Sequence, residues 1–466
     1  MLSFFRLNDP YRLLVIFLLL LAVRLPALLG SYETSVQELN LMLVGERLAS
    51  GFDMYSDVWE TTSPISAGVF GIVDFLFGRS QTAYLIIAWI FVCIQVFFFN
   101  RMVLANKVYN ENTYVPGLVY GLVASLQNDF FTLTPMLMGV TFLLPALNNI
   151  FNHIEVRAKH DEQILYIGLY VGMAYLVYLP MIVFGLAVLV AFVFFTGTVT
   201  RRYIMLFYGL LLPLLAISFY YLLLKRWQDF MYSALQPLFS GYQHWYVSYK
   251  FLLIMLAIPL LFLVMSFFKM ASSGRFNNFQ ARLNQSMFLF MLFALGAIFL
   301  NDAGTPNAYF LLTPFFSYFL CHLFLLIKRK FIAEVSFLLF ILSVALINYG
   351  NFKILSNQDY TNEYYINEGE YLQYTNKKIV VFGENKRPYN HASVATPFLN
   401  WEISKDVLQR PDYYDNLTII LKGFKQDMPD IIIDDSGVMP SLQERVVPLK
   451  ENYRLKSAGI YERISN

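Results

Sequence analysis

From residue 12 to residue 350, long apolar runs alternate with short polar breaks. An α-helix rises about 1.5 Å per residue and the hydrocarbon core of a bilayer is about 30 Å thick, so about 20 apolar residues cross it. Runs of roughly that length lie near 12–29, 82–100, 114–127, 133–151, 163–179, 181–197, 204–224, 251–268, 286–300, 309–327 and 331–350. They predict a polytopic α-helical membrane protein with about eleven transmembrane helices. The two runs between Gln163 and Gly197 are one stretch broken at Pro180, which suggests two short helices forming a hairpin.

Three longer polar segments interrupt or follow these runs. The first, 30–81, contains a stretch from Val36 to Ala49 in which Val36, Leu39, Leu43 and Leu48 recur at roughly helical spacing. It is too polar to span, so it predicts a helix lying along the membrane interface. The second, Lys225 to Lys250, is rich in Trp and Tyr, residues favoured at headgroup level. The third begins near Asn351, where apolar runs shorten to strand length, as in Lys378–Gly383 and Asp430–Asp434. Helix-like stretches at Ser404–Gln409 and Leu417–Gln426 complete a strand–helix–strand order. The expected organisation is a multi-helix transmembrane domain over 1–350, with 30–81 as an interfacial first outer loop, followed by a small α/β extracytoplasmic domain over 351–466.

Charge sets the orientation. Arg6 and Arg12, Arg101 and Lys107, Arg157 and Lys159, Arg201 and Arg202, Lys269, Arg275 and Arg282, and Lys328, Arg329 and Lys330 fall in alternate loops. Loops rich in Lys and Arg stay inside, so the N-terminus is expected inside. An odd number of spans then puts the tail outside. The expected location is the cytoplasmic (inner) membrane, multi-pass, with the C-terminal domain on the outer, periplasmic side. The first run has a basic flank like that of a signal peptide, but no small-x-small cleavage site follows; it is expected to be a retained helix.

Composition agrees with the pattern. Charged residues are 14% of the chain, against about a quarter in soluble domains, and hydrophobic residues are 57%. A net charge of +2 without a basic block gives no reason to expect a nucleic-acid partner. Cys93 and Cys321 both lie in apolar runs, so neither a disulfide framework nor a zinc site is suggested. There is no Gly-rich phosphate loop, nucleophile elbow or HExxH motif. That argues against an ATP-driven motor within this chain. The spans hold few ionisable residues, which disfavours a proton-relay transporter.

Chemistry concentrates in the first outer loop, with Glu33, Glu38, Glu46, Asp53, Asp57 and Glu60. Most acids in such a loop serve solubility. Glu38 stands near the start of the interfacial helix, where a carboxylate can take the proton of a hydroxyl attacking a lipid-linked donor. It is expected to line a cavity open to the outer side. Asp129, in the turn Gln127-Asn128-Asp129, is the second candidate base; a helix-capping role is as well founded. A phosphate-bearing lipid would need cations near the outer surface: Lys225, Arg226, His244 and Lys250 flank the second outer segment, and Arg24 ends the first span. Each serves equally well as an interfacial side chain that reaches up to the headgroups.

The first outer loop also resembles a known family. Gln37-Glu38-Leu39-Asn40, then Glu46 to Gly51, Tyr55-Ser56-Asp57, Trp59-Glu60, Pro64 and Phe77-Gly78 resemble the opening of the C-type (GT-C) glycosyltransferase superfamily. The likeness is to bacterial relatives of protein O-mannosyltransferases and aminoarabinose transferases. Asn307 to Pro314, with Tyr309 and Pro314, is similar to the start of a late span in that family. The closing tail, Pro429 to Asp434 with Tyr453 and Gly459-Ile460-Tyr461, is similar to its outer domain. The resemblance covers most of the chain in layout and about 45 residues in motif.

It implies a polyprenyl-phosphate sugar donor, an unidentified acceptor and inverting transfer at the outer membrane face. Glu38 or Asp129 would be the base, and Asp57, Glu60, Arg24, Lys225, Arg226, His244 and Tyr309 would bind substrate. No metal ligands are identified, and the sequence leaves open whether a divalent metal ion is used. One departure matters. The family usually has Asp where this chain has Gln37, so either Glu38 takes the role of base or the chain is an inactive relative. The alternative function is therefore a non-catalytic membrane component that binds lipid or protein partners in an envelope complex.

Overall fold

The computed structural model describes residues 1–30, 33–156, 161–196, 199–235, 247, 249–301, 304–355, 364–367 and 369–464. The chain forms two compact units that interleave in sequence. One takes Met1–Tyr32, Gln81–Phe219 and Gly241–Thr361; the other takes Glu33–Ser80, Tyr220–Ser240 and Asn362–Asn466.

The first unit is helical and apolar. Among the described residues, eight helices are long and apolar enough to cross a bilayer: Tyr11–Leu28, Gln81–Ala105, Leu179–Thr196, Thr200–Leu223, Leu252–Ser273, Asn278–Leu300, Pro306–Leu326 and Lys330–Asn348. Pro135–Val156 and the shorter Glu162–Val177 join them. Backbone N–H and C=O groups have no water to bond in hydrocarbon, so helices that satisfy them internally are the permitted solution. The break expected at Pro180 is present: one helix ends at Val177, and a 3₁₀ turn over Leu179–Ile182 starts the next.

The run near 114–127 differs from expectation. Its helix covers only Val115–Val123, nine residues, or about 14 Å of rise. A 3₁₀ turn follows at Asn128–Phe131. All nine residues are buried, so their apolar character reflects packing within protein rather than a lipid-facing span. Two other helices cross closely. A Cβ built on Gly168 would lie 2.5 Å from the Leu206 carbonyl oxygen, and one on Gly209 equally close to that of Leu165. Small residues at a crossing let backbones approach where lipid supplies no hydrophobic drive.

The second unit combines helices with a sheet. Val36–Ala49 is a helix with the bounds the sequence pattern predicts, capped by Ser35, whose Oγ accepts from the Glu38 N–H at 3.1 Å. A helix that the pattern does not single out, Pro64–Phe77, packs on it where Gly71 meets Leu48. Proline at its first position suits a helix start.

The sheet has strands β1 (Lys378–Phe382), β2 (Ser393–Val394), β3 (Ile431–Asp434), β4 (Tyr453–Ser457) and β5 (Ile460–Arg463), in the order β2-β1-β3-β5-β4. β2, β1 and β3 are parallel; β5 is antiparallel to β3, and β4 closes a hairpin with β5. The helices Trp401–Leu408 and Tyr414–Gln426 contribute Trp401, Leu408, Ile420 and Phe424 to a core with Val380, Phe382 and Ile432. Trp59 of the first outer segment packs against that core. Its backbone donates to Pro397 O at 2.9 Å and accepts from Asn400 N at 3.1 Å.

Candidate functional site

In the second unit, the capped start of the Val36–Ala49 helix fixes Glu38. A carboxylate in the first turn is favoured by the unpaired N–H groups there. The Glu38 side chain is wholly buried, 0% exposed, so it does not line an open cavity in this conformation. Gln37 precedes it on the same turn. Further along the helix, Arg47 is buried in an ion pair with Asp427, donates to Val394 O at 3.0 Å and lies over the Phe52 ring.

Glu60 sits in a closed polar network. Its carboxylate pairs with the Lys386 ammonium at 3.0 Å and accepts from Asn400 Nδ2 at 2.8 Å and Thr61 N at 2.9 Å. Lys386 also donates to Asn40 Oδ1 at 2.7 Å. Burial pushes the Glu60 pKa up, but Lys386 and the donated hydrogen bonds outweigh it and hold the carboxyl below its usual value. These contacts join the first outer segment to the tail and leave Glu60 engaged with protein.

Tyr55 and Asp57 form a tight loop. Tyr55 has φ +72°, a left-handed conformation that costs an aromatic residue about 1–2 kcal/mol. Its hydroxyl donates to Thr62 O at 2.8 Å, and its ring packs on Tyr221 and Phe230 at 5.5 and 5.6 Å. The Asp57 carboxylate accepts from Asp53 N at 3.1 Å, and Asp53 pairs with Arg226. Burial pushes the Asp229 carboxyl up in pKa, Lys422 and Arg226 pull it down, and Asp57 adds to the rise. Asp53, Asp57, Asp229, Arg226 and Lys422 thus share one electrostatic neighbourhood. Lys225, at φ +57°, caps a helix: its N–H bonds Leu222 O, and Arg226 N bonds Tyr221 O. His244 lies outside the described residues.

The first unit holds the other candidates. Arg24 is 1% exposed; its Nη1 donates to Phe131 O at 3.3 Å and its guanidinium lies 4.8 Å from the Phe131 ring. Its Nε and Nη2 bond no described residue. Buried guanidinium nitrogens without acceptors are costly, and an anion would satisfy them. Asp129 is buried in the 3₁₀ turn that also carries Phe131, and accepts from Gln127 Nε2. Gln127 Oε1 and Thr313 Oγ1 bond no described residue, and both residues line a small apolar pocket with Phe130, Met255, Tyr309 and Phe316. Asn348 closes the polar turn, donating to Ser125 O at 2.7 Å. Among the described residues no three His, Cys, Asp or Glu side chains cluster as a metal-holding group.

The structure therefore brings Arg24 and Phe131 together, and Gln127, Asp129 and Tyr309 around one turn and its pocket. It separately groups Asp57 with Arg226. Lys386, Asn400, Asp427 and Asn348 are partners that sequence reasoning missed. No spacing links them to their partners, which lie 326, 340, 380 and 223 positions away along the chain.

No protein-family model matches the chain, and no curated protein does. Among solved structures, the chain superposes on ArnT from Cupriavidus metallidurans, crystallised bound to undecaprenyl phosphate, with a TM-score of 0.57 and 10% identity. The match covers 98% of this chain and 99% of ArnT. An oligosaccharyltransferase from Archaeoglobus fulgidus, tethered with an acceptor peptide, aligns at 9% identity and a TM-score of 0.47 over 98% of this chain and 74% of its own. Ten apolar or partly apolar helices, the capped helix at Val36 and the tail sheet follow one known plan over almost the full chain: this protein has the GT-C fold.

Proposed function

We propose that the chain is a membrane glycosyltransferase that moves a sugar from a polyprenyl-phosphate donor to an acceptor hydroxyl at the outer face of the cytoplasmic membrane. What carries the reading is the full-length fold shared with a protein crystallised on undecaprenyl phosphate. The buried Arg24, with two guanidinium nitrogens unmet among the described residues, adds a phosphate-binding group within a spanning helix.

In the proposed reaction the acceptor oxygen bonds to the anomeric carbon, and the bond from that carbon to the phosphate oxygen breaks. The lipid phosphate leaves with the electron pair and is held by Arg24. The hydroxyl proton passes to a carboxylate. Glu38 is the first candidate, because the Gln37 amide has no useful basicity; Asp129 is the second. Glu38 must gain access to substrate for this, which closing or opening of the site on donor binding would provide. Asp57, Arg226, Tyr309 and His244 are proposed to bind the donor head group or acceptor, while Lys225 acts by ending the Thr200–Leu223 helix and Glu60 by tying the first outer segment to the tail.

The test is a transfer assay with purified, reconstituted protein and a radiolabelled polyprenyl-phosphate sugar, alongside undecaprenyl phosphate binding. Glu38→Gln should lower transfer by about 10²–10⁴-fold and keep lipid binding. Arg24→Gln should weaken lipid binding. Loss of transfer in Asp129→Asn but not Glu38→Gln would move the base to Asp129.

The second reading is a non-catalytic component of an envelope complex. Gln37, in the place where the resemblance has Asp, and the complete burial of Glu38 favour it. If both carboxylate variants leave the cellular phenotype of the protein intact while deletion does not, this reading replaces the first.

A further inference from the structure

At the basic end of the helical unit is a pocket unconnected with the donor chemistry. It has a volume of about 430 Å³ and lies where the chain enters its first span, leaves its second and starts the Val115–Val123 helix. Leu13, Phe97, Leu104 and Ala105 form its apolar wall; Asn8, Asn100, Asn112, Tyr114 and Arg101 supply polar groups. Phe97 is 39% exposed on a spanning helix, so the wall continues onto the lipid-facing surface.

Among the described residues that line it, Arg101 is the one cation. Arg12 pairs with Asp9 at 3.1 Å and Arg6 approaches Glu111 at 3.9 Å. Arg101, which lines the pocket, makes no ion pair and no hydrogen bond among the described residues. An apolar wall facing lipid below a polar rim with one uncommitted guanidinium matches an amphiphile with an anionic phosphate head. The volume falls within the range of ligand sites, about 300–1,000 Å³.

We propose that this pocket binds an anionic glycerophospholipid of the leaflet on the basic side. Its phosphate lies on Arg101 within reach of the Asn8 and Asn112 amides, and an acyl chain runs along Leu13, Phe97 and Leu104. A zwitterionic lipid carries its own cation beside the phosphate and gains less from Arg101.

The experiment is native mass spectrometry of the full-length protein in detergent, titrated with phosphatidylglycerol or phosphatidylcholine. Phosphatidylglycerol should be retained preferentially. Arg101→Gln should weaken its retention about fivefold, the equivalent of one lysine or arginine at a membrane surface. Ala105→Phe, which fills the wall without changing charge, should weaken it too. Lys269→Gln, in another basic loop, should not. Equal retention of the two lipids, or no effect of either pocket variant, would overturn the proposal. Displacement by millimolar inorganic phosphate would make the occupant a free phosphate. Displacement by equimolar undecaprenyl phosphate would make it a polyprenyl lipid. Both results count against a glycerophospholipid.

Discussion

Single residues show most clearly how the tail and first outer segment hold together. Glu60 is 3% exposed and carries its charge only because Lys386, Asn400 and Thr61 surround it. Removing one member of a buried pair leaves the other uncompensated, at a cost of about 3–5 kcal/mol, while replacing both with apolar groups is far milder. Lys386→Met should therefore lower the melting temperature of the purified protein sharply, and Glu60→Met with Lys386→Met should recover much of the loss. If the single and double variants melt alike, the pair contributes nothing. The pH dependence has a definite sign. A glutamate whose folded pKa is depressed contributes stability above its unfolded value and loses it as pH falls through the folded pKa. The wild type should lose stability below the ordinary glutamate range, and the double variant should lose less. Glu60 and Asp57 were legible in the sequence as acids of a conspicuous loop. That Glu60 meets Lys386, while Asp57 lies near Arg226 and Asp229, was not, because these partners carry no periodicity that would betray them.

At the scale of elements, the sequence pattern performs best where one period persists. Val36–Ala49 has the bounds that its apolar spacing predicts, and the Pro180 break lies where proline removes a donor and starts a new helix. β1 and β3 coincide with the two apolar runs of the tail. The pattern fails where burial is not one-sided. β4 reads as polar because four of its five residues are exposed, and β2 is only two residues long. Val115–Val123 reads as a span because protein buries it on every side. Pro64–Phe77, apolar but 14 residues long, is hidden within a loop otherwise marked by acids. Lys225 shows how an element can account for a candidate site residue. It occupies the left-handed position after the Thr200–Leu223 helix, where glycine avoids a cost of about 1–2 kcal/mol. Lys225→Gly should raise the melting temperature and leave undecaprenyl phosphate binding unchanged. A loss of binding shared by Lys225→Gly and Lys225→Gln would instead assign the ammonium to the donor.

For the whole molecule the decisive question is which parts share a side of the membrane. Glu33–Ser80, Tyr220–Ser240 and Asn362–Asn466 belong to one compact unit, and a unit folded from water-facing segments cannot be assembled across a bilayer. The three segments therefore lie on one side, and the crossings between successive members must be even in number. Between the last two segments the predicted runs satisfy this, with four; between the first two there are six when the short buried helix Val115–Val123 is counted as completing a crossing, and five when it is not. Every basic loop used to assign the inner side falls within the other unit. On the positive-inside bias we propose that the composite unit lies outside. It also bears on the domain boundary: we propose a tail domain over 351–466 that carries its own core, while Arg47, Trp59 and Glu60 supply contacts from the first outer segment. The topology is tested by reporter fusions after Gly51, Lys330 and Asn466. Activity of a periplasm-dependent reporter is expected after Gly51 and Asn466 and not after Lys330. Gly51 and Asn466 on opposite sides would contradict the shared unit. Lys330 on the same side as both would mean that 331–350 does not make a single crossing, contradict the basic-loop assignment and remove the basis for placing a lipid-linked transfer at the outer face.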